Sequence, residues 1–334
     1  MLRLNPIRVR GKLLAVTGLL CCALGLAGGQ AQAADEYPSK PITLVVGFPP
    51  GGSNDMVARI LAPKLGEILG VPVIILNKVG SNALIGTEYV VKAAPDGYTI
   101  TLGSASPLVI SPATYAKMPF DPMKDLTGIT TVAQTPEMLS INVSVPAKTL
   151  QELIALSKTR RVTISSSGNG GLPHLAIELL RGAAGTGEIV HVPYKGAGPA
   201  LADVVGGHVD GIIVDIAPQL PLVQDGRLRA IAVTNTQRAV LLPNTPTSVE
   251  QGVPSLLAFN WFSVMGPPNL PKPIVNKLYA ALVKTAQSPD VVESWRKIGV
   301  EPFVQSSPQA FRAFMQKETD SWAKIAKASG ATAD

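Results

Sequence analysis

Three glycine-rich loops in this chain combine backbone N–H groups with serine hydroxyls, which are the donors that hold a small anion. They read PPGGSND at residues 49–55, SSSGNGG at 165–171 and YKGAG at 194–198. Glycine lets the backbone approach a ligand closely or take a positive φ. A single loop of this kind often only turns the chain, whereas loops that face one cleft from two sides predict an anion site.

Two side chains beside these loops have two interpretations each. Asp55 lies three residues after Gly52, where it either complements the dipole of a new helix or binds a ligand ammonium. His174 follows the second loop and either contacts a ligand or caps and packs the helix. A catalytic pair of Ser166 with His174 is a further hypothesis, although serines of an anion cradle explain the same residues.

The sequence carries no familiar catalytic or metal-binding signature. His174, His191 and His208 match no metal-ligand spacing. There is no GxSxG, HExxH, Walker or dinucleotide-binding motif. We therefore expect a binding protein that is not an enzyme and that uses no metal or cofactor.

The elements that must position the loops alternate between strand and helix, which favours a parallel sheet covered by helices. Pro63 falls inside the first helical pattern and predicts a kink or a short break. Strands are predicted at 42–48, 73–76, 99–103, 162–166, 189–192, 211–215 and 230–233, and helices at 54–69, 84–93, 150–158, 173–183 and 200–205.

The last part of the chain predicts a different arrangement. From Phe259 onward a short extended piece and a proline-broken loop at 266–273 lead into three helical stretches. These helices lack the strands of a third domain, so we expect them to pack on the first half. Two strands would then cross between two lobes of a clamshell, in which a ligand is trapped by hinge closure.

Residues 1–33 have the layout of a cleaved secretory signal. Basic residues open the segment, an apolar stretch spans 13–27, and Ala31-Gln32-Ala33 provides the small residues of a cleavage site. Cys21 and Cys22 fall inside it, so the exported chain would have neither a disulfide nor a thiol. We expect an exported protein, cleaved near Ala33, that folds in an oxidising compartment.

Charge does not indicate a nucleic-acid partner. The chain has 29 basic and 23 acidic residues, and four of the basic ones lie in the signal. The exported part is thus close to neutral, and aromatic residues make up only 5% of the sequence. Neither a basic face nor an aromatic stacking motif is evident.

With these segments in view, the chain resembles the Bug family, also called TctC-like, of periplasmic solute-binding receptors of tripartite tricarboxylate transporters. The resemblance covers nearly all of the exported chain. It is carried in order by YPSKPITLVVGFPPGGSND, KAAPDGYTITLGSAS, SSSGNGGLPHLAIELL, VPYKGAGPALADVVGGHVD, GRLRAIAVT, LPNTPTSVEQGVP and WFSVMGPPNLPKPIV.

The resemblance implies two α/β lobes of the periplasmic-binding-protein type (type II-like), with a discontinuous first lobe at 35–138 and 258–334 and a second at 139–257. It implies a carboxylate gripped between the first two glycine loops, and Asp215 in the distal pocket. The ligand-binding positions carried over are Pro50, Gly51, Gly52, Ser53, Asp55, Ser104, Ser106, Ser165, Ser166, Gly168, Asn169, Gly170, His174 and Asp215.

Two positions depart from the family pattern. Members commonly carry an Asn-basic-Pro-Gly-Ala-Gly-Gly run where this chain has NKVGSNA at 77–83, and a hydroxyl residue where it has Gly171. We expect bulk and polarity at Ser81, Asn82 and Ala83 to alter the path of that loop and any pocket wall it forms.

The leading hypothesis is therefore a monomeric receptor that closes on a small carboxylate and delivers it to the membrane permease of a tripartite tricarboxylate transporter. One alternative is a sensor component whose closed form is presented to a membrane kinase. The other is a secreted serine hydrolase that uses a cleft serine.

Overall fold

The computed structural model describes residues 37–333. The predicted signal at 1–33, with both cysteines, lies outside the described residues. The chain divides into two units, Met1–Ser39 and Lys40–Asp334, and all elements named below belong to the second.

Strands and helices alternate along most of the second unit. Its described strands are β1 (Ile42–Val46), β2 (Val73–Asn77), β3 (Thr99–Ser104), β4 (Thr127–Asn142), β5 (Val162–Ser166), β6 (Ile189–Pro193), β7 (Gly211–Asp215), β8 (Leu228–Val233), β9 (Phe259–Gly266) and β10 (Glu301–Pro302). Its described helices are α1 (Ser53–Leu69), α2 (Leu84–Val91), a π-helical turn (Ser106–Ile110), α3 (Ser111–Thr114), α4 (Leu150–Ser157), α5 (Leu172–Ala184), α6 (Ala197–Val205), α7 (Ile216–Gln224), α8 (Lys272–Ala286), α9 (Pro289–Arg296) and α10 (Pro308–Ser329).

The strands form one mixed sheet in the order β2-β1-β3-β9-β4-β7-β5-β6, with β8 and β10 also paired to β4. The two βαβ regions are parallel, as predicted: β1 pairs with β2 and β3, and β5 pairs with β6 and β7. Apolar runs such as ITLVV in β1 suit strands that are covered on both faces. Each parallel region directs the carboxyl ends of its strands, and the loops that follow them, toward one edge.

Two antiparallel strands join the parallel regions. The first part of β4, Thr127 to Pro136, pairs with β9, and its last part, Glu137 to Ile141, pairs with β7. β9 in turn pairs with β3. The chain therefore connects the two regions through β4 and β9, which is where the carboxyl ends of β3 and β7 also meet.

Three local predictions need correction. The helix α1 continues through Pro63 without a break, because the burial of Val57, Leu61 and Leu65 on its inner face outweighs the cost of about 3 kcal/mol for an internal proline. The helix after the third glycine loop starts at Ala197, so Ala197 and Gly198 belong to α6. Finally, β4 and α7 form where neither a strand nor a helix is predicted.

The C-terminal helices pack against the strands that join the two regions. In β9, the fully buried ring of Trp261 makes edge-on contacts with Phe311 and Phe314 of α10, at centroid distances of 6.1 and 5.4 Å. Its indole N–H donates to Glu318 of the same helix at 3.3 Å. α10 also contacts β4 and the π-helical turn, so it covers the joint between the two parallel regions.

Candidate functional site

A cleft lies where the carboxyl ends of β1, β3 and β7 meet, and about 50 Å³ of it is accessible to the centre of a water molecule. Its walls come from the loops after these strands, from the second and third glycine loops, and from the joining strands β4 and β9. The lining residues are Phe48, Pro49, Pro50, Gly52, Ser53, Asn54, Ser104, Ser106, Glu137, Ser167, Pro173, Gly196, Ala197, Gly198, Val214, Asp215, Pro218 and Asn260.

One wall of the cleft is the start of α1. No side chain caps this helix, and its N-cap residue is Gly52. The first N–H groups of a helix have no partner within the helix, and they carry its positive partial charge. Ser53 and Asn54 are buried here, and the Nδ2 atom of Asn54 has no hydrogen-bond partner. This end of the cleft therefore offers hydrogen-bond donors and a favourable field for an anion.

Asp55 lies in the first turn of α1, but it does not line the cleft. Its carboxylate accepts hydrogen bonds from the Gly51 N–H at 3.0 Å, from Nε and Nη2 of Arg59 at 2.7 and 2.9 Å, and from Asn77 at 3.0 Å. Burial raises the pKa of Asp55, but these hydrogen bonds outweigh burial and hold it below its usual value. The contacts favour the structural interpretation of Asp55: it fixes Gly51, which has a φ of 82°.

Two of the three serine hydroxyls of the second glycine loop are hydrogen-bonded to other protein groups. Ser165 donates to the Gly211 carbonyl at 3.0 Å. The Ser166 hydroxyl lies 2.7 Å from the Gly168 carbonyl and 2.6 Å from Nε2 of His191. Both serines are fully buried and absent from the cleft lining, whereas Ser167, which the sequence did not single out, lines it.

His174 holds the end of the same loop. Its Nδ1 atom accepts the Gly170 N–H at 3.0 Å, and its ring stacks on His191 with centroids 4.0 Å apart. Burial and, to a smaller extent, the neighbouring His174 lower the pKa of His191 to about 3. The histidine that contacts Ser166 is thus His191, and the alternative pairing of Ser166 with His174 is not formed.

Contacts from the β3 side hold this loop in place. The Ser106 hydroxyl accepts the Leu172 N–H at 3.0 Å, and Thr114 donates to the Gly170 carbonyl at 2.7 Å. Ser106 therefore both lines the cleft and joins the two sides of it. Gly168 and Asn169 instead line an adjoining pocket with about 500 Å³ accessible to the centre of a water molecule, which shares Ser167 and Gly196, among other residues, with the cleft.

One part of the cleft lining, next to Ser53, is acidic. Glu137 of β4 and Asp215 of β7 are cross-strand neighbours, and Asn260 of β9 donates to Asp215 at 3.1 Å. Burial raises the pKa of Asp215 to about 6, although hydrogen bonds from Ser53, Asn260 and Glu137 oppose the shift. Burial, and then the nearby Asp215, raise the pKa of Glu137 well above its usual value.

The structure thus brings six of the predicted positions to the cleft lining, namely Pro50, Gly52, Ser53, Ser104, Ser106 and Asp215. Sequence reasoning missed Asn54, Glu137 and Asn260. For two of these residues the sequence carries a signal of a buried polar site. Glu137 is the one charged residue of TTVAQTPEMLSI, and Asn260 is the one amide of AFNWFSV. The sequence patterns do not identify β4 and β9 as the two strands that connect the parallel regions.

The two departures from the family pattern meet in space. Asn82 lies in a run of left-handed residues, Ser81 to Ala83, with φ between 46° and 71°. A side chain at Gly171 would place its Cβ 2.8 Å from Nδ2 of Asn82 and 3.0 Å from the Ser106 hydroxyl. The amide of Asn82 therefore takes the space that a hydroxyl residue at 171 would need.

This contact predicts that Gly171→Ser destabilises the protein by about 1–3 kcal/mol, the usual cost of overpacking. Asn82→Gly removes the obstructing amide. The unfolding free energy of the double variant should therefore be at least about 0.5 kcal/mol higher than the sum of the two single effects predicts. Urea unfolding of the single and double variants measures the coupling. Gly182→Ser, inside the helix α5 that Gly171 precedes, is the control, since a Cβ there meets nothing within 4 Å. Additive free energies would contradict the prediction.

Comparison with known proteins identifies the family. The sequence model described as the tripartite tricarboxylate transporter family receptor, TctC, matches residues 57–331. The chain belongs to this family. Protein BugT of Bordetella pertussis is 36% identical over 323 residues, covering 96% of this chain and 98% of the relative. A protein of Cupriavidus necator from the gbd 5′ region is 36% identical over 290 residues, covering 86% and 87% of the two chains.

Solved structures of TctC and Bug proteins share the fold. R. palustris Rpa4515 with adipate has a TM-score of 0.85 at 34% identity, covering 89% of this chain and 99% of that chain. The periplasmic binding protein BugD has a TM-score of 0.84 at 30% identity, with the same coverage. MatC of Rhodopseudomonas palustris with bound malate has a TM-score of 0.79 at 28% identity, covering 86% and 99%.

These likenesses confirm the predicted family and the mixed α/β fold of periplasmic binding proteins. The family consists of solute-binding receptors. Within residues 37–333, no helix is both long and apolar enough to span a bilayer. The same residues contain no group of three or more His, Cys, Asp or Glu side chains that could hold a metal ion.

Proposed function

We propose that this TctC receptor captures a small carboxylate-bearing solute in its cleft and delivers it to the membrane permease of a tripartite tricarboxylate transporter. The observation that carries the proposal is the uncapped start of α1 in the lining of the cleft, with the unpartnered amide of Asn54 beside it. A ligand carboxylate placed there would accept the N–H groups that the helix leaves free.

The charge of the cleft supports binding by dipoles rather than by an ion pair. None of the described lining residues is Lys, Arg or His. Backbone dipoles and amides that are fixed in advance act strongly where water is excluded. The field of α1 and the Asn54 amide would then replace the hydration shell of the carboxylate, and the rest of the cleft lining would select among acids.

The arrangement of the sheet supports the proposed lobes. With boundaries near residues 138 and 258, the two parallel regions form the lobes, and β4 and β9 form the connection between them. The contacts of Ser106 with Leu172 and of Thr114 with Gly170 would be made on closure. Export by a cleaved signal, a periplasmic location and a monomeric state complete the proposal.

The same contacts support a binding protein over a serine hydrolase. Ser166 is fully buried, its hydroxyl lies beside the Gly168 carbonyl and His191, and it does not line the cleft. A nucleophile must reach the reacting carbon of a bound substrate. The serine–histidine contact therefore fits a structural role in shaping the loop. The bound adipate and malate of the related structures fit a carboxylate receptor.

Thermal-shift and calorimetric screening tests the proposal with the exported protein, stripped of solute by unfolding and refolding. The panel pairs mono-, di- and tricarboxylates, amino acids and pyridine carboxylates with their neutral amides. An acid that binds should raise the unfolding temperature in proportion to its saturation, and its amide should not. Shifts for the amides alone, or for no compound, would refute the carboxylate site.

A charge substitution in the cleft locates the site. Asn54→Asp places a carboxylate where the solute carboxylate would lie, so it should weaken binding at least about tenfold through like-charge repulsion. Asn276→Asp, at an exposed position in the first turns of α8, is the matched control with the same change of charge. Equal affinities in the two variants would place the ligand elsewhere.

A further inference from the structure

Another cavity, which we term the back groove, lies behind the strand that joins the two parallel regions. About 710 Å³ of it is accessible to the centre of a water molecule, and Gln134 and Pro136 of β4 contribute to its lining. Successive side chains of a strand point to opposite faces, and Glu137, the next residue along, lines the cleft. The back groove and the cleft therefore lie on opposite faces of β4.

The walls of the back groove come from the two proposed lobes. Residues between 235 and 241, which follow β8, form the wall that belongs to the second lobe. Residues between 287 and 301, in and around α9, form the wall that belongs to the first lobe. The width of the groove therefore depends on how the two lobes are placed relative to each other.

The two lobes are in close contact beside β4. Thr135 of β4 donates a hydrogen bond to the Gly299 carbonyl at 2.8 Å. A Cβ on Gly299 would lie only 2.7 Å from Cγ2 of Ile216, the first residue of α7. Gly299 belongs to the first proposed lobe and Ile216 to the second, and the missing Cβ allows this close approach. A tight contact next to the joining strand, with a gap between the walls beyond it, is expected of a pivot.

The charged side chains of the back groove form their ion pairs within one lobe. The pairs are Arg238–Glu250 at 2.9 Å in the second lobe, and Arg296–Glu301 at 3.0 Å and Lys297–Glu293 at 2.8 Å in the first. A change in the width of the groove breaks none of them. Each wall also carries an apolar side chain: Val240, which is 81% exposed, and the half-buried Val292.

The opposite face of the joining strands is closed in this structure. Across the cleft, Ser106 accepts the Leu172 N–H at 3.0 Å, and Thr114 donates to the Gly170 carbonyl at 2.7 Å. A rotation about the contact at Gly299 that separates these pairs brings the walls of the back groove together, because the cleft and the groove lie on opposite faces of β4. The groove is therefore wide in the closed form and narrow in the open form.

We propose that the back groove controls closure of the cleft: a bulky group between its walls blocks the open form and so tightens solute binding on the other face of β4. The inference rests on the lobes and the solute site proposed above. The coupling needs no contact between that group and the solute. A group that fits the groove of one form and not of the other shifts the populations of the two forms.

Two tryptophan substitutions fill the groove, one from each wall. Val240→Trp changes an exposed side chain, so it disturbs no core packing, and Val292→Trp extends from α9. Val143→Trp is the matched control, at an exposed position directly after β4 that lines neither cavity. Circular dichroism and urea unfolding verify that all three variants fold.

Distances between spin labels test the groove without any solute. The predicted exported chain has no cysteine of its own, so Lys92→Cys in the first lobe and Gly182→Cys in the second provide two unique, exposed label sites. In the ligand-free protein, Val240→Trp and Val292→Trp should each increase the fraction of molecules with the shorter, closed distance. Distances equal to those of Val143→Trp, or a shift toward the longer distance, would overturn the proposal.

Calorimetry with an acid from the solute screen then measures the coupling to the cleft. Val240→Trp and Val292→Trp should bind that acid at least about threefold more tightly than wild type, because more of the ligand-free protein is already closed. Val143→Trp should stay within about twofold of wild type. Unchanged affinities in both groove variants would overturn the coupling. If no acid binds the wild-type protein, the carboxylate site has failed, and the label distances alone decide on the groove.

Discussion

Replacing Asp215 with Asn should stabilise the ligand-free protein relative to wild type by up to about 3 kcal/mol more at pH 7 than at pH 4. The pKa of Asp215 rises from 3.8 to about 6 on folding, mainly because the side chain is buried. The folded state therefore keeps its proton where the unfolded chain has lost it. Stability from this group is fully present below about pH 3.8 and is lost as the pH rises through about 6.

Urea unfolding of wild type and variant over this pH range measures the effect, in buffers without carboxylates. The difference between the two proteins removes the contribution of carboxylates such as Asp55 and Glu178, whose pKa values are lowered and whose effect has the opposite sign. Asp225→Asn provides the control for loss of an exposed carboxylate. Curves for Asp215→Asn and wild type that run parallel from pH 4 to 7 would show that Asp215 titrates normally.

Replacing Trp261 with Ala should cost about 3–5 kcal/mol of unfolding free energy, the range for removal of a large buried aromatic ring. The ring is fully buried and lies between β9 and α10, against Phe311 and Phe314. Its removal leaves a cavity at the strand that joins the two parallel regions, and it leaves Glu318 with one donor fewer. We expect a lower urea midpoint for the whole protein.

Chemical unfolding followed by circular dichroism checks this value, because far-ultraviolet signals do not depend on the indole that is removed. Val240→Ala is the control, since this apolar side chain is 81% exposed and should change stability by less than about 0.5 kcal/mol. A loss for Trp261→Ala close to that of the control would mean that α10 does not depend on this contact.

Much of the fold could be predicted because hydrophobic periodicity and turn residues are local signals. The βαβ regions and the loops between them were placed within a few residues, from the run at β1 to the strand at β7. The strand β4 was missed for a physical reason. Its residues are buried along almost the whole length, by β7, β8 and β9, so they show neither alternation nor a plain apolar run.

The sequence predicts the kind of site, an anion site built from backbone donors, but not which polar side chains face the cleft. Glycine-rich turns at strand ends indicate backbone donors for an anion, and the start of α1 has this character. Which polar groups face the cleft depends on contacts between distant segments. Ser166 is engaged by His191, Ser106 by Leu172 and Gly51 by Asp55, while Asn54 keeps an amide without a partner.

The sequence by itself determined the family, the order of the βαβ regions and the three glycine loops, because these follow from local patterns of apolar, turn and polar residues. Only the tertiary structure decided that Glu137, Asp215 and Asn260 converge in one part of the cleft lining. These residues lie on strands far apart in the chain, and pairing of β4 with both β7 and β9 brings them together. The buried acidic part of the cleft lining is a product of that pairing.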